Sequence, residues 1–575
     1  MVADRSQFAE WDPVRLTYAF DGEEVELPMR LLVAGRFSTA APRERRGEPL
    51  PVSAATLDVV LRDLAPRLEL RVPDRLLDAG GTRDVTVDVG AMADFAPESL
   101  TRTTPDLNAV LELMARLRAG EAGAGEDAHR ARLLEALGYQ PESADRLWRE
   151  YAIAELGDRL GRQLDEILHH PEFQELEANW RGVELILGSI TDDMHCRVDL
   201  LDMPREALLD DFRSHGHSDA SLLFQTLHAR EFGQYGGEPY AAVIGAYAFG
   251  PGAEDIELLR RIAGVCAAAH APFIAAAAPR LFGLNRFEEL ADATALPELK
   301  RSPRLARWRG LAAEETTRYI GLTVPRVLLR RPWGQDGSRV VSGFAYREET
   351  SRLHDHGLWG SAAFGFAETL VRSFQRYRVC VDIIGPAGGR VTGLPEVSQT
   401  QSHGHDYPVE VLLSERKEAE LADLGVMPLV VARAHQSIAF NSAHSIHWTA
   451  VDDAATREAD PESLGLRLGA QLPYVFLIAR VAHYLKVIQR DMIGTMRTGA
   501  EMETELHNWL RRYVSDVENP APAQRARRPL RRASLRVIDE EGGGAFYRMH
   551  LDLVPHTRFM STEFSLSLEG RLGKE

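Results

Sequence analysis

The sequence predicts a mixed α/β (α+β) fold, and three observations carry that prediction. Over residues 241–275 a buried strand pattern, a helical stretch and a second apolar strand pattern follow one another. That order suits a partly parallel sheet covered by helices. In residues 163–182, QLDEILHHPEFQELEANWRG, Leu164, Ile167 and Leu168 fall at helical spacing, and Phe173, Leu176 and Trp180 repeat three and four residues apart. Pro171 disfavours helix just before it and suits the first turn of a new one, so two amphipathic helices meet at a corner. Both chain ends alternate polar and apolar residues, over 14–18, 549–553 and 564–568, which reads as strand.

The chain has 575 residues, 45% of them hydrophobic, enough for three or four domain-sized cores. A formal net charge of −18 argues against binding nucleic acid or anionic lipid over the whole surface. The aromatics do not interleave with basic runs, which argues against single-stranded nucleic acid. Cys196, Cys266 and Cys380 are scattered with no CxxC pair, so neither a disulfide framework nor a cysteine-rich zinc site is expected. The start lacks a basic stretch followed by an apolar run, and the most apolar segments, 262–279 and 472–485, are broken by His, Pro or Arg. The expectation is a cytoplasmic protein with no membrane insertion.

The elements follow in order. Val14, Arg15, Leu16, Thr17 and Tyr18 alternate as a strand, Asp21-Gly22 is a turn, and 25–27 and 29–37 extend the strand pattern. A helix near 54–65 puts Leu57, Val60, Leu61 and Leu64 on one face, with Ser53 as its cap. Short strands at 68–72 and 85–89 and a helix with Leu107, Val110, Leu111, Met114 and Leu117 in a stripe complete a small α+β unit. Gly120 to Asp127 is an acidic, glycine-rich linker. Leu133, Leu134 and Leu137 belong to a short amphipathic helix. Strands at 197–201, 241–247 and 270–275 and helices at 204–212, 220–232 and 253–269 come next. The segments 281–283, 318–322, 325–329 and 358–360 continue the strand pattern, and 501–514 is an acidic helix with Leu506, Trp509, Leu510 and Tyr513 at core spacing.

No catalytic template occurs: there is no GxxxxGK loop, GxSxG elbow or HExxH helix. Three His-x-His pairs stand out, His215 with His217, His354 with His356, and His403 with His405. Each reads as a surface loop or as half of a metal site that lacks a third ligand. His169 and His170 read as corner packing or as an acid/base pair. Gly385 to Gly389 reads as a turn or a phosphate cradle, and Glu314-Glu315 and Glu348-Glu349 as solvated faces. No residue is assigned to catalysis, cofactor or metal. Residues 525–536 hold six arginines on an acidic background. Arg525, Arg527, Arg528, Arg531 and Arg532 are either a solvated approach to the strand at 534–538 or a contact for an acidic surface, including another copy of this chain.

The HHP corner with its phenylalanine and W-R-G run resembles the large sheath subunit of bacterial type VI secretion systems. So do GGEPY at 236–240, AHAPFIA at 269–275, RYIGLTVPR at 318–326, LWG at 358–360, Asp423-Leu424-Gly425 with Pro428-Leu429, and RVAHYLKVIQRD at 480–491. The N-terminal part, with T-Y, V-E-L-P, D-F-x-P-E and an L-x-x-L-x-x-L-R helix in that order, is similar to the small sheath subunit. The resemblance implies a fusion, small part first: 1–118, a linker at 119–129, and a large part at 130–575. The large part divides into N-terminal helices (130–182), an α/β body (183–495) and a C-terminal helix and strands (496–575). It implies a contractile phage-tail-sheath-like core with an outer domain and strand-exchanging termini. It further implies a helical homopolymer around an Hcp-type inner tube, attached to baseplate proteins and dismantled by a ClpV-type AAA+ unfoldase, with no cofactor. On that pattern the strand 14–18 joins a neighbour's sheet, and Leu133, Leu134 and Leu137 form the unfoldase-binding helix. The reading from a different class is an α/β enzyme with an unrecognised active site near 241–329.

Overall fold

Residues 29–35, MRLLVAG, are apolar on both faces apart from Arg30, the pattern of a strand covered on both sides. In the computed structural model they form an interior strand, hydrogen-bonded along both edges. The structure describes residues 16–573 apart from 21–22, 40–46, 78–79, 122–127, 140–144, 192–193, 217, 295, 336, 338–339, 352, 396–406, 433–436, 449–469, 493–498, 516, 518–527, 529, 540–545 and 556–565.

The strands are β1 (Tyr18–Phe20), β2 (Glu23–Val25), β3 (Met29–Gly35), β4 (Leu50–Val52), β5 (Arg67–Pro73), β6 (Thr82–Asp88), β7 (Cys196–Asp202), β8 (Tyr240–Phe249), β9 (Phe273–Ala277), β10 (Ile320–Val324), β11 (Val327–Leu328), β12 (Trp359–Gly360), β13 (Met427–Ala432), β14 (Ser437–Phe440), β15 (Leu530–Asp539), β16 (Phe546–Pro555) and β17 (Leu566–Gly573). Eight of them make the main sheet in the order β14-β13-β10-β9-β8-β3-β7-β4. β3 runs parallel to β7, with Met29 opposite Cys196 and Gly35 opposite Asp202, and parallel to β8 on its other edge. β8, β9, β10 and β13 continue in parallel, and the edge strands β14 and β4 are antiparallel.

The framing helices are α1 (Leu57–Leu64), α2 (Pro97–Thr103), α3 (Pro105–Arg118), α4 (Ala128–Ala136), α5 (Arg146–Leu168), α6 (Pro171–Gly188), α7 (Arg205–Ser214), α8 (Ala253–Ala269), α9 (Ala362–Tyr377), α10 (Glu415–Asp423), α11 (Leu472–Met492) and α12 (Gly499–Arg511). The strand-helix-strand unit expected at 241–275 is β8-α8-β9. The helical corner is α5 meeting α6 at Pro171, with Asp145 accepting from the Trp148 amide to cap α5.

The structure differs from expectation in four places. Strand β1 starts at Tyr18; Leu16 and Thr17 are irregular, and Val14 and Arg15 lie outside the described residues. The first part does not close on a core of its own, because β3 and β4 are strands of the shared sheet. Residues 281–283 do not extend the strand pattern: Pro279–Phe282 is a 3-10 turn ended by Gly283 in the left-handed region. The helix at 220–232 is interrupted by a π-turn at Gln225–Ala229.

Two apolar clusters result. The larger surrounds the main sheet and takes in the stripe of α3 and the inner faces of α5 and α6. The smaller joins Leu16, Tyr18 and Leu27 to Val481, Tyr484, Leu506, Trp509, Leu530 and Leu551. Both chain ends therefore meet in one terminal module, whose three-stranded sheet is β15-β16-β17.

Candidate assembly site

The corner of α5 and α6 grips the first part of the chain by its backbone. His170 caps α6, its Nδ1 accepting from the Glu172 amide at 3.3 Å. One turn on, Phe173 meets Phe95 edge-to-face. Asn179 Nδ2 donates to the Arg36 carbonyl at 3.0 Å, and the fully buried Trp180 donates from Nε1 to the Phe37 carbonyl at 3.1 Å. These carbonyls lie just beyond β3, so the helix satisfies the chain where it leaves the sheet. Gln163 does the same for β5, accepting from the Arg75 amide at 2.8 Å and donating to the Pro73 carbonyl at 3.2 Å. Gly182 completes the run because any Cβ there would overlap the ring of Phe364 on α9.

Behind this joint lies a buried charge network. Arg330 donates from Nε to Glu177 Oε1 at 2.9 Å and from Nη1 to Glu348 Oε2 at 2.7 Å. Burial raises the Glu348 carboxyl, but Arg330 and His169 more than offset it and hold the group at about 2. Glu348 is thus a buried partner, not the solvated face expected; Glu349 beside it is exposed. His169 Nε2 lies 3.3 Å from Glu348 and its ring stacks on His356 at 4.1 Å. Asp165 accepts from the Tyr346 hydroxyl at 2.7 Å, and burial pushes its carboxyl up to about 6. The network fastens the 330–356 segment to the helical corner.

The terminal module is tied to the body by α11. Its polar side chains donate to backbone carbonyls of three different segments. Arg480 Nη1 reaches the Pro28 carbonyl at 3.0 Å, just before β3. His483 Nε2 is 3.0 Å from the Ala269 carbonyl, and Lys486 Nζ donates to the Ala268 carbonyl at 2.6 Å. These two cap the C-terminus of α8 by satisfying its orphan carbonyls. Arg490 Nη1 donates to the carbonyls of Glu231 and Gly237 at 2.8 and 2.7 Å. Burial pushes the Lys486 ammonium down to about 7 and the His483 imidazole to about 3.

Several predicted residues meet in this module. Leu16 and Tyr18 are buried in the terminal cluster of their own chain, and Thr17 is pinned between the rings of α12 and its extension. The Thr17 amide donates to the Tyr513 hydroxyl at 3.1 Å, and Trp509 Nε1 donates to the Thr17 carbonyl at 2.8 Å. Arg525 and Arg527 lie outside the described residues; Arg528 and Arg532 are exposed and Arg531 is half-buried, the last two on β15. Leu133, Leu134 and Leu137 lie elsewhere, buried against α3 with the Arg130–Glu112 ion pair at their side.

The other candidates do not converge on chemistry. His354 faces Glu288 at 3.4 Å while His356 stacks on His169, and no metal-binding group of three side chains occurs among the described residues. His217, His403 and His405 fall outside those residues. Gly389 lies against the Phe440 carbonyl of β14, where a Cβ would collide, so the glycines serve backbone packing. Sequence reasoning missed the carbonyl-binding cations of α11. Their signal is present in RVAHYLKVIQR, where charges recur on a helix too apolar to have a solvent face.

Comparison with known families accounts for nearly the whole chain. Residues 14–152 match the family described as type VI secretion system, VipA, VC_A0107 or Hcp2. Residues 150–447 match the EvpB/VC_A0108 tail sheath N-terminal domain, and 462–572 the EvpB/VC_A0108 tail sheath gpW/gp25-like domain. The type VI secretion system sheath protein TssC1 of Pseudomonas aeruginosa is 36% identical over 432 residues, covering 74% of this chain and 85% of that protein.

Proposed function

This chain belongs to the sheath proteins of type VI secretion systems, small and large parts in one polypeptide, and from that premise we propose how it works as a single protomer. It is a structural subunit, and its family assembles into the polymer of the secretion sheath. The observation that carries the single-protomer reading is β3. A strand from the VipA-like match lies between two strands of the VipB-like match, hydrogen-bonded to both. Two parts that share a sheet cannot part without opening the core.

The protomer polymerises as a helical tube around an Hcp-type inner tube, on baseplate proteins, in the cytoplasm. Contraction of the lattice drives the inner tube outward. No helix among the described residues is long and apolar enough to cross a membrane. The contacts of Leu16, Thr17 and Tyr18 with Trp509, Tyr513 and Tyr484 are of the kind neighbours exchange in the lattice, chain end to chain end. Arg528, Arg531 and Arg532 present positive charge beside them.

A ClpV-type AAA+ unfoldase dismantles the contracted tube through Leu133, Leu134 and Leu137. These are buried against α3, so recognition requires α4 to lift off, at about 2 kcal/mol for each leucine exposed. Negative-stain microscopy of the purified chain tests the reading. Hollow tubes are expected; discrete particles at every concentration and salt would reject it.

A further inference from the structure

Where β8 and β9 end, a cavity of about 660 Å³ opens to solvent, lined by Arg205, Arg280 and Arg304 together with Asp255. The protein carries a net charge of −18, so three guanidinium groups around one opening are a local exception. Asp255 neutralises only one of them. Its Oδ1 pairs with Arg205 and its Oδ2 accepts from the Gly250 amide at 2.9 Å, which uses both oxygens. Among the described residues, neither Arg280 nor Arg304 has a carboxylate within ion-pair distance, and both are exposed. Arg304 is held in place nonetheless. Its Nη2 donates to the Arg280 carbonyl at 3.3 Å, and it crosses Gly283 so closely that a Cβ there would lie 2.9 Å from Nη1.

We infer that this crevice receives a carboxylate-bearing segment of a second copy of the chain, making it a polar contact between sheath subunits. The inference rests on the sheath reading. Charge complementarity names the occupant: an acidic chain that polymerises presents carboxylates to its own copies at high local concentration. Two exposed guanidiniums, that of Arg304 held in orientation, suit an Asp or Glu side chain in fork geometry. Their exposure and the crevice's volume of about 660 Å³ fit a macromolecular surface more than a small buried anion.

The test compares the full-length wild type with Arg280→Ala/Arg304→Ala by the sedimentable tube fraction from low to high salt. The double variant should need about tenfold more protein for half-assembly at low salt, and the gap should close as salt rises. Its thermal midpoint should match wild type, because neither side chain is buried. If the midpoint falls, Arg280→Lys/Arg304→Lys should assemble as wild type and Arg280→Gln/Arg304→Gln should not; equal behaviour of the two overturns the inference. So does a double variant that assembles like wild type at every salt concentration. Calorimetric binding of inorganic phosphate to wild type, lost in the double variant while assembly is unchanged, would make this a small-anion site instead. If wild type forms no tubes, the sheath reading itself fails.

Discussion

Replacing Arg330 with Met should cost the folded chain about 3 kcal/mol, because it strands two buried carboxylates. The side chains of Arg330, Glu177 and Glu348 are 6%, 0% and 1% exposed, so water cannot replace the lost donor. Glu177 keeps Arg181 at 2.7 Å, and Glu348 keeps the Trp333 amide at 2.8 Å and His169 at 3.3 Å. Those residual partners place the loss at the low end of the usual range of about 3–5 kcal/mol for breaking a buried pair. Urea unfolding followed by tryptophan fluorescence at pH 7, with the denaturant slope unchanged, reads the loss. The triple variant Arg330→Met/Glu177→Gln/Glu348→Gln should recover at least half, since it removes the charges along with their partner. Acid gives an independent check. In wild type the folded Glu348 carboxyl lies below its unfolded value, so its stabilisation is full above about pH 4.5 and is lost as pH falls toward about 2. Without Arg330, burial acts on that carboxyl against only His169 and the Trp333 amide and raises it from its wild-type position, so the variant's deficit should shrink on acidification from pH 7 to 5. A loss below about 1 kcal/mol, or a triple variant no better than the single, would refute the claim that this network fastens the corner.

Two further outcomes follow from the terminal module. The folded Lys486 ammonium lies at about 7, below its unfolded value, so the unfolded chain binds more protons between about pH 7 and 10.5, and wild-type stability should rise over that interval by up to about 4 kcal/mol. Lys486→Met should flatten this limb, and denaturant midpoints from pH 7 to 9.5 read it. Removing residues 1–20 exposes the pocket that Leu16 and Tyr18 fill; the product should stay soluble and folded, lose about 2–4 kcal/mol in the terminal module alone, and form no tubes by microscopy.

What the sequence made legible was mostly local. The corner at Pro171 could be read because a proline and a 3–4 spacing are neighbours in the chain, and the structure keeps them as α5 and α6. The β8-α8-β9 unit was legible for the same reason. What lay hidden depends on partners far away. β3 pairs with β7 more than 150 residues later, and no spacing rule reports that. Yet its continuous apolar run contrasts with the strict alternation of β5, whose residues are buried and exposed in turn. That contrast separates a strand covered on both faces from one half open to water. The stripe of α3 packs against α5, but the shared sheet adds a bond no helix pair can supply. Residues 281–283 misled because an apolar Leu-Phe pair resembles strand, whereas Pro279 and the left-handed Gly283 make a turn of it.

The central claim is that both sheath parts form one protomer, held by β3 and not by the linker. A protease site placed between Gly123 and Gly125, cut after purification, tests it most directly. The account predicts that the halves co-elute at micromolar concentration, resist separation in high salt, and build tubes as the intact chain does. Halves that separate on a sizing column, or tubes that vanish on cutting, would contradict it.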